Sequence, residues 1–496
     1  MWLFALLLVF VLTYFYFNLL KRYKYWDERG VAFEKPAFLF GNIPVNILQM
    51  GAMQEMVERI YTKFTNHRYV GVYHFSKPTL LIRDLELIKQ ITTKDVDYFS
   101  GHTTLMPSDV DPLWIKNLFQ MCVKDGWQDM RNTLSSSLTS SKMETMFELI
   151  KPCAKQFIEF LKNQDHPHSL EAKDLFTRFV NDVNSTCAFG ITDDSLKNRN
   201  NEFFETGRRA IDIEGFKILK FLGFSFNPTL MKLFGFKVFN KKVIAYFKTI
   251  IKGSIDHRRA KNIIQPDLIH LMLEENGIKN TSIESMVAQA LIFLTAGFES
   301  VSSAMAFLSY DLALNVDVQR KVYNEIREVL GDDKEITYES LLRMKYLDCV
   351  VSESLRLHCP TPIIDRKCIK SYTINPVLPT ENPVHLEKGT VVWIPILGLH
   401  NDEKYYPNPH EFNPERFTSD NKSNIVPYSY LPFGTGPKAC LGSKFALLEI
   451  KLIFAELLRN FKIMVNLRTE VPKVMGKVNY NGRIDDGLIL TINHRL

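Results

Sequence analysis

The first twenty positions of the chain are almost entirely apolar or aromatic, and none of them is charged. As a helix, twenty residues span about 30 Å, which is the thickness of a bilayer's hydrocarbon core. Lys21, Arg22 and Lys24 follow directly, and positive charge on this flank predicts that the rest of the chain stays in the cytosol. A cleaved signal peptide would need a basic stretch before the run and a small-residue cleavage site after it. The pattern therefore predicts a transmembrane anchor over residues 1–20.

The pattern of apolar and polar positions changes several times along the rest of the chain. Proline and glycine breakers over residues 21–45 predict a linker. Strand-forming residues on both sides of Ser76-Lys77-Pro78 predict a hairpin over 68–84. Apolar residues then recur three and four apart from 126 to 360, which is typical of helices. They include one long apolar helix over 283–314.

The C-terminal third has a different character. Short strand-like runs alternate with proline-rich loops over residues 361–435, a helix is predicted from about 442 to 460, and an irregular or β tail follows. The expected fold class is mainly α with a small β part (α+β). There is no periodic βαβ alternation, which argues against a Rossmann fold. Residues 46–496 are expected to form a single catalytic domain.

Composition narrows the function classes. The chain has 496 residues, 46% of them hydrophobic, which is globular composition. Its net charge of +6 is too mild to indicate nucleic-acid binding, but it allows a local basic patch for an acidic partner. Seven scattered cysteines with no CxxC pair make a zinc site or a disulfide scaffold improbable and suit a reducing compartment.

Phenylalanines and lysines interleave over residues 216–242. Apolar rings beside lysines suit a surface that dips into a membrane interface, while the alternative is a core-facing segment with solvated lysines. With an anchor already holding the body beside a bilayer, we favour the membrane interface.

The candidate chemistry centres on Cys440, which follows two glycines and a proline and precedes an amphipathic helix. A cysteine just before a helix meets unpaired N–H groups and the positive end of the helix dipole, which favour the thiolate. Glycines at 436 and 442 leave room for a flat bulky group to approach the backbone. The thiolate could be a nucleophile or a metal ligand, but no matching Cys/His pattern supports the nucleophile.

The string around this cysteine, Phe433-x-x-Gly436-x-Lys438-x-Cys440-x-Gly442, resembles the haem-binding loop of the cytochrome P-450 superfamily of haem-thiolate monooxygenases. Four further strings match that family in its order. They are Trp127-Gln128-Asp129-Met130-Arg131 (WxxxR), Ala296-Gly297-Phe298-Glu299-Ser300 (AGx(D/E)T), Glu353-Ser354-Leu355-Arg356 (ExxR) and Phe412-Asn413-Pro414-Glu415-Arg416-Phe417 (PERF). In overall style the chain resembles insect microsomal members that metabolise xenobiotics.

The resemblance implies a role for each of these residues. Haem b (iron protoporphyrin IX) would bind with Cys440 as its axial thiolate, and Ala296 and Gly297 would form the oxygen groove beside it. The residues expected to contact haem are Trp127, Arg131, Ala296, Gly297, Arg366, Phe433, Lys438, Cys440 and Gly442. Glu299 and Ser300 would relay protons, and Glu353, Arg356 and Arg416 would form a buried structural network.

Two positions depart from the family pattern. Position 300 usually carries threonine, and serine lacks the β-methyl group that fixes the rotamer, so the coupling of oxygen activation to product is in doubt. Lys438 replaces an arginine and lacks its forked geometry, so haem retention is expected to be weaker.

The implied activity is insertion of one oxygen atom from dioxygen into lipophilic small molecules, in xenobiotic or hormone metabolism. The electrons would come from an NADPH-cytochrome reductase, with cytochrome b5 as a further electron donor. The reductase would meet Lys438, Lys444 and Lys451. The location would be the endoplasmic reticulum membrane, with the catalytic domain cytosolic. The alternatives are a reductase-independent haem-thiolate isomerase or dehydratase and a non-catalytic haem or ligand carrier.

Overall fold

A computed structural model of the protein describes residues 2–43, 50–103, 112–121, 123–136, 139–211, 223, 240–262, 267–274, 282–331, 335–471 and 487–495. Its α-helices in these ranges are α1 Trp2–Arg22, α2 Met50–Lys63, α3 Leu85–Lys89, α4 Pro112–Lys116, α5 Trp127–Ser136, α6 Ser140–Lys162, α7 Ala172–Asn184, α8 Glu202–Ile211, α9 Lys241–Lys261, α10 Leu268–Glu274, α11 Ile283–Leu314, α12 Val316–Leu330, α13 Tyr338–Arg343, α14 Lys345–Leu357, α15 Ile396–His400 and α16 Ser443–Asn460. Its strands are β1 Tyr69–His74, β2 Lys77–Ile82, β3 His168–Glu171, β4 Ile364–Lys367, β5 Tyr372–Ile374, β6 Val384–Leu386, β7 Val391–Ile394, β8 Phe461–Met464 and β9 Ile489–His494.

The strands form three small sheets. The largest has the order β1-β2-β7-β4, in which β2 and β7 are parallel and the other two pairings are antiparallel. The second has the order β3-β9-β8, and β5 pairs with β6 in the third. The fold is therefore mainly helical with a small β part, as the sequence predicts.

Helix α11 is the central element of the helical part. Its buried side chains belong to two core clusters, one shared with α6, α7, α14 and α16 and one shared with α8, α9 and α10. Among the described residues, α11 is also the one helix that passes a length and hydropathy test for a membrane span, but 56% of its most apolar window is buried. Because its buried side chains belong to these two core clusters, the apolar character of α11 is that of a core helix.

Most of the predicted elements are present. The long helix over 283–314 and the helix ending at residue 460 are confirmed, and the predicted hairpin is β1 and β2. Its turn is shorter than predicted, because Lys77 and Pro78 already pair with β1. Strand β3 was missed inside the region predicted to be helical.

The segment that follows α1 is packed against the body of the fold. Trp26 is completely buried, and its indole N–H donates to the carbonyl oxygen of Val72 at 3.1 Å. A Cβ on Gly71 would overlap the Trp26 ring, so only glycine fits beneath it. Glu34 is buried and forms ion pairs with Arg59 and Lys63 of α2 at 2.8 and 2.7 Å.

Most of the phenylalanine- and lysine-rich stretch at 216–242 lies outside the described residues.

Candidate functional site

Cys440 lies in a tight loop that leads into α16. Its backbone N–H donates to the carbonyl oxygen of Phe433 at 2.8 Å, and the chain turns through positive φ angles of 72° at Gly434 and 73° at Gly436. Among the six cysteines that the structure describes, five are buried and Cys440 is exposed. The loop therefore presents one thiol to its surroundings.

The electrostatics of this thiol differ from the sequence-based expectation. Although the Cys440 residue is exposed, burial of its thiol raises the thiol pKa. The Gly442 N–H and the Arg131 guanidinium offset part of that rise. The N–H at the start of α16 therefore lowers the thiol pKa in the predicted direction, but burial has the larger effect and the pKa is raised overall.

The two glycines beside Cys440 have different roles. A Cβ on Gly442 would meet no described atom within 4 Å, so this position leaves the open space that the sequence predicts. A Cβ on Gly436 would overlap the carbonyl oxygen of Thr92. Gly436 is therefore required by packing against Thr92 and does not make room for a ligand.

Helix α11 presents the predicted groove residues on one partly open face. Ala296 is exposed and Gly297 is partly exposed, and a Cβ on Gly297 would contact the Asn184 side chain of α7 at 3.4 Å. The ring of Phe293 lies 5.3 Å from that of Phe445 in α16. This contact ties the groove helix to the helix that follows the cysteine loop.

The predicted acid–alcohol pair is adjacent in sequence but is not hydrogen-bonded. Ser300 donates its hydroxyl to the carbonyl oxygen of Ala296 at 2.6 Å. The Glu299 carboxylate instead forms an ion pair with Lys173 of α7 at 2.8 Å. Sequence reasoning missed Lys173, because nothing local to position 173 indicates a partner 126 residues away.

Cationic and aromatic groups lie beside the loop, as the motifs predict. Trp127 is buried, and the Lys438 ammonium lies 3.8 Å from the centroid of its indole ring. Arg366 is completely buried, and burial lowers the pKa of its guanidinium to about 10. Its Nε has no hydrogen-bond partner among the described atoms. A buried guanidinium with an unused donor fits an anionic group such as a haem propionate.

The sequence analysis did not predict the histidine–aspartate pair that lies beside Arg366. His102 Nδ1 lies 3.0 Å from the Asp365 carboxylate, and the His102 ring stacks on Phe119. Burial raises the pKa of Asp365, but hydrogen bonds from His102 and Thr103 outweigh burial and hold the pKa well below its usual value. The pair joins the segment before α4 to strand β4, and the preceding Gly101 bridges to Lys367.

The predicted structural network is present in full. Glu353 and Arg356 are completely buried and form two hydrogen bonds of 2.8 Å with each other. The Arg416 Nε lies 3.4 Å from the same Glu353 carboxylate. Removing one partner of such a buried bidentate pair strongly destabilises the folded protein, because the other charge is left buried and unpaired.

His400 connects this network to the cysteine loop. Its Nε2 accepts the N–H of Leu431 at 2.9 Å, so its Nδ1 carries the proton and donates to the carbonyl oxygen of Arg356 at 3.1 Å. Burial lowers the pKa of His400 to about 3. Sequence patterns could not show that His400 bridges α14 and the segment leading to Cys440, because these partners are far apart along the chain.

The lysines predicted for partner docking differ in availability. Lys444 is exposed, whereas Lys451 is buried and pairs with Asp348 at 2.6 Å. Lys438 lies over Trp127 and donates to the Met121 carbonyl oxygen at 3.4 Å. The expectation that Lys451 meets a partner is therefore wrong, because its ammonium is already paired inside the fold.

Within the described ranges, no three His, Cys, Asp or Glu side chains are grouped so that they could hold a metal ion. Haem iron takes its equatorial ligands from the porphyrin, so a single cysteine thiolate is enough to supply an axial position.

Comparison with known proteins agrees with this site. A family model described as Cytochrome P-450 matches residues 32–483. The chain is 39% identical to cytochrome P-450 9e2 of Blattella germanica over 100% of this chain and 98% of that protein. It is 37% identical to probable cytochrome P-450 9f2 of Drosophila melanogaster over 90% of each, and 32% identical to cytochrome P-450 6k1 of Blattella germanica over 93% and 91%.

The family model spans most of the chain, and the relatives match nearly their whole length. The chain therefore belongs to the cytochrome P-450 family and is a monooxygenase that uses haem b with an axial cysteine thiolate.

Proposed function

We propose that Cys440 is the axial ligand and that this enzyme oxygenates lipophilic small molecules with electrons from an NADPH-dependent reductase. The observation that carries the assignment is the exposure of Cys440 while the other described cysteines are buried. The bound haem supplies the activation of dioxygen, which thiolate ligation favours. Phe433 packs at the edge of the core and keeps one side of the loop dry.

The cationic groups around the loop would hold the haem propionates. Arg366 offers its unpaired Nε, and Arg131 and Lys438 add positive charge. Lys438 lacks a guanidinium fork, but its contact with Trp127 holds the ammonium in place. Glu353, Arg356 and Arg416 act through the backbone, because they fix the segment from which the cysteine loop extends.

Ser300 and Glu299 of α11 would supply the protons that the activation of dioxygen needs. The Ser300 hydroxyl is anchored on the Ala296 carbonyl oxygen and lies on the open face of α11. The Ser300 hydroxyl can pass on its proton, and the carboxyl group of Glu299 can supply the proton that replaces it. Gly297 and Ala296 keep the groove free of bulk.

The substrates are apolar xenobiotics or hormones that reach the site from the endoplasmic reticulum membrane. Apolar side chains of α11 flank the groove residues, with Phe293 partly buried and Phe298 buried in the core. Helix α1 carries exposed apolar residues such as Trp2, Phe10 and Phe17, and its last turn contains Lys21 and Arg22. This helix is proposed to be the anchor, with the rest of the chain cytosolic.

The reductase is proposed to dock with an acidic face beside the start of α16, where Lys444 is exposed. Cytochrome b5, which would supply the second electron, is proposed to use the same face.

The test of the ligand is the reduced, carbon-monoxide-bound absorption spectrum of the full chain. We expect a thiolate-type band in the wild-type protein, loss of that band in Cys440→Ser, and its retention in Cys349→Ala, which alters a buried cysteine of α14. A normal band in Cys440→Ser would overturn the assignment.

Reconstitution with reductase and NADPH tests the reaction. The proposal predicts oxygenated product from a panel of lipophilic substrates. Turnover of organic peroxides without any NADPH-dependent product would indicate the isomerase alternative, and ligand binding without turnover would indicate a carrier. Either result would contradict the proposed function.

A further inference from the structure

A cleft of about 490 Å³ lies where α2 meets the end of α15 and the loop that follows it. Its volume is within the range of small-molecule binding sites. Helix α2 contributes Glu58 and Tyr61, the loop over residues 401–411 contributes most of the remaining lining, and Arg83 is part of the same surface. None of the residues assigned above to haem, oxygen or proton transfer lines this cleft, so it is a separate feature of the molecule.

Contacts between α2 and the loop hold the cleft in shape. The Tyr61 hydroxyl donates to the Asp402 carboxylate at 2.6 Å, and the Asn401 side chain donates to the Glu58 carboxylate at 3.4 Å. Burial, and then the bond to Asp402, raise the pKa of the Tyr61 hydroxyl, so it keeps the proton that it donates. A Cβ on Gly398 would overlap the Tyr61 ring, so glycine is required where α15 approaches α2.

The lining of the cleft is acidic, although the chain as a whole has a net charge of +6. Its four carboxylates are those of Glu58, Asp402, Glu403 and Glu411. In the part of the chain that the structure describes, none of them forms an ion pair. The Arg83 guanidinium donates instead to the carbonyl oxygens of Phe64 and Thr65, both at 2.8 Å. A concave surface with this excess of negative charge attracts cations.

The spacing of the carboxylates selects the kind of cation. Within the described ranges, no three acidic, histidine or cysteine side chains are grouped so that they could hold a metal ion. The four carboxylates of the cleft are therefore too far apart to surround one small ion. A ligand that satisfies them has its positive charges spread along its length, as in an aliphatic chain that carries several ammonium groups.

The loop that lines the cleft also contacts the buried network beneath the cysteine loop. Arg356 donates to the carbonyl oxygens of His400 at 2.8 Å and Glu411 at 3.2 Å. Arg416 donates to the carbonyl oxygen of Asn408 at 3.0 Å. A ligand that holds this loop in place would therefore also favour the contacts that support the segment leading to Cys440.

We propose that the cleft binds a short linear polyamine through its four carboxylates, and that occupancy holds the 401–411 loop against Arg356 and Arg416. Each ammonium group donates to the carboxylates nearest to it, and no bond is made or broken. Neither haem nor turnover is needed for binding. The site can therefore be tested whether or not the proposed oxygenation occurs.

The main test is calorimetric titration of the full chain with spermidine at low ionic strength. We expect one molecule bound per chain with a dissociation constant below about 1 mM. The variant Glu403→Gln/Glu411→Gln removes two carboxylates of the cleft and should weaken binding at least about fivefold. A diol of the same length as spermidine should not bind.

The matched control is Asp317→Asn/Glu335→Gln, which removes two exposed carboxylates that lie outside the cleft. Its affinity for spermidine should equal that of the wild type. Equal weakening in the two double variants would show attraction to overall charge and would overturn the inference. So would an absence of binding to the wild-type protein. If the cleft variant does not fold, Glu58→Gln removes the carboxylate on α2 and should weaken binding in the same direction.

The contact between the loop and the network has its own readout. Saturating spermidine should raise the thermal midpoint at a fixed scan rate by about 1–3 °C. It should also slow the transfer of haem from the holoenzyme to apomyoglobin about twofold, because the loop supports the network. Sodium chloride at the same ionic strength should have neither effect. Binding that leaves haem transfer unchanged would overturn the proposed link to Arg356 and Arg416.

Discussion

At the scale of single residues, the site consists of side chains that the motifs name and side chains that they do not. Cys440, Arg356 and Ser300 belong to short motifs whose spacing is informative in itself. His400 and Lys173 matter because of contacts with residues far away in sequence, such as Leu431 and Glu299. The second kind of residue becomes visible only when the chain is folded.

The buried neutral state of His400 predicts a pH-dependent stability. Its pKa is about 3 in the fold and about 6.5 as a free side chain, so below pH 6.5 the unfolded chain binds a proton that the folded chain does not. Stability that is present above pH 6.5 is therefore lost as the pH falls towards 3, by up to about 1.4 kcal/mol per pH unit. His400→Gln should be less stable at pH 7 and should lose less stability between pH 6.5 and 4.5. Thermal midpoints at a fixed scan rate measure both effects. An equally steep pH dependence in His400→Gln would contradict the role assigned to His400.

At position 300, a single methyl group is expected to change the amount of product formed per NADPH. Ser300→Thr adds the β-methyl that restricts the hydroxyl rotamer, and we expect about twofold more product per NADPH. Ser300→Ala removes the hydroxyl and should lower that ratio about fivefold or more, with extra hydrogen peroxide. Product and NADPH measured in the same reaction check both variants. Equal yields in the serine and alanine forms would remove Ser300 from the proton path.

At the scale of secondary structure, periodicity located the helices better than the strands. Helix α11 was predicted with its observed bounds because an apolar pattern of 32 residues leaves few other possible structures. Strand β3 has four residues of mixed polarity, and its pairing with β9 joins positions more than 300 residues apart. Such a strand is stabilised by its partner and not by its own sequence, so local patterns do not predict it.

Gly190, at the end of the π-helical turn Ser185–Phe189, leaves the space that a buried ion pair occupies. Gly190 has a φ of 66°, and a Cβ there would overlap the Arg258 guanidinium, which is paired with the fully buried Asp267. Gly190→Ala should cost at least about 2 kcal/mol through strain and disruption of the buried pair. The matched control is Gly253→Ala, since Gly253 lies inside α9 with no described neighbour within 4 Å of its Cβ. That change should stabilise the protein by about 0.5–1 kcal/mol. Thermal midpoints that move together would contradict this account.

At the scale of the whole molecule, sequence patterns did not show how the segment after α1 packs against the rest of the fold. The breakers in residues 21–45 predicted a linker, yet Trp26 and Glu34 are buried parts of the body. Proline and glycine show where a helix cannot continue, but they do not show what the chain packs against. The parallel pairing of β2 with β7, which joins the N-terminal hairpin to the C-terminal half, was likewise beyond sequence patterns.

The burial of Trp26 and Glu34 predicts different results for two N-terminal truncations. A chain that begins at residue 24 lacks α1 and keeps Trp26 and Glu34, so it should retain the thiolate-type spectrum and move from the membrane fraction to the soluble fraction. A chain that begins at residue 45 also loses the tryptophan over Gly71 and the ion pairs to α2, and it should bind little haem. Cell fractionation with spectra of each fraction decides both points. If the chain that begins at residue 24 stays entirely in the membrane fraction, α1 is not the anchor.

The close approach of Gly436 to the carbonyl oxygen of Thr92 affects how the enzyme matures. These two positions are 344 residues apart, and β9, which completes the sheet beside α7, lies further along the chain than either. During synthesis, the Thr92 side of this contact is therefore made long before the Gly436 side. The cysteine loop can close against Thr92 only after the chain has been synthesised past Gly436, so we expect haem to be captured late in synthesis.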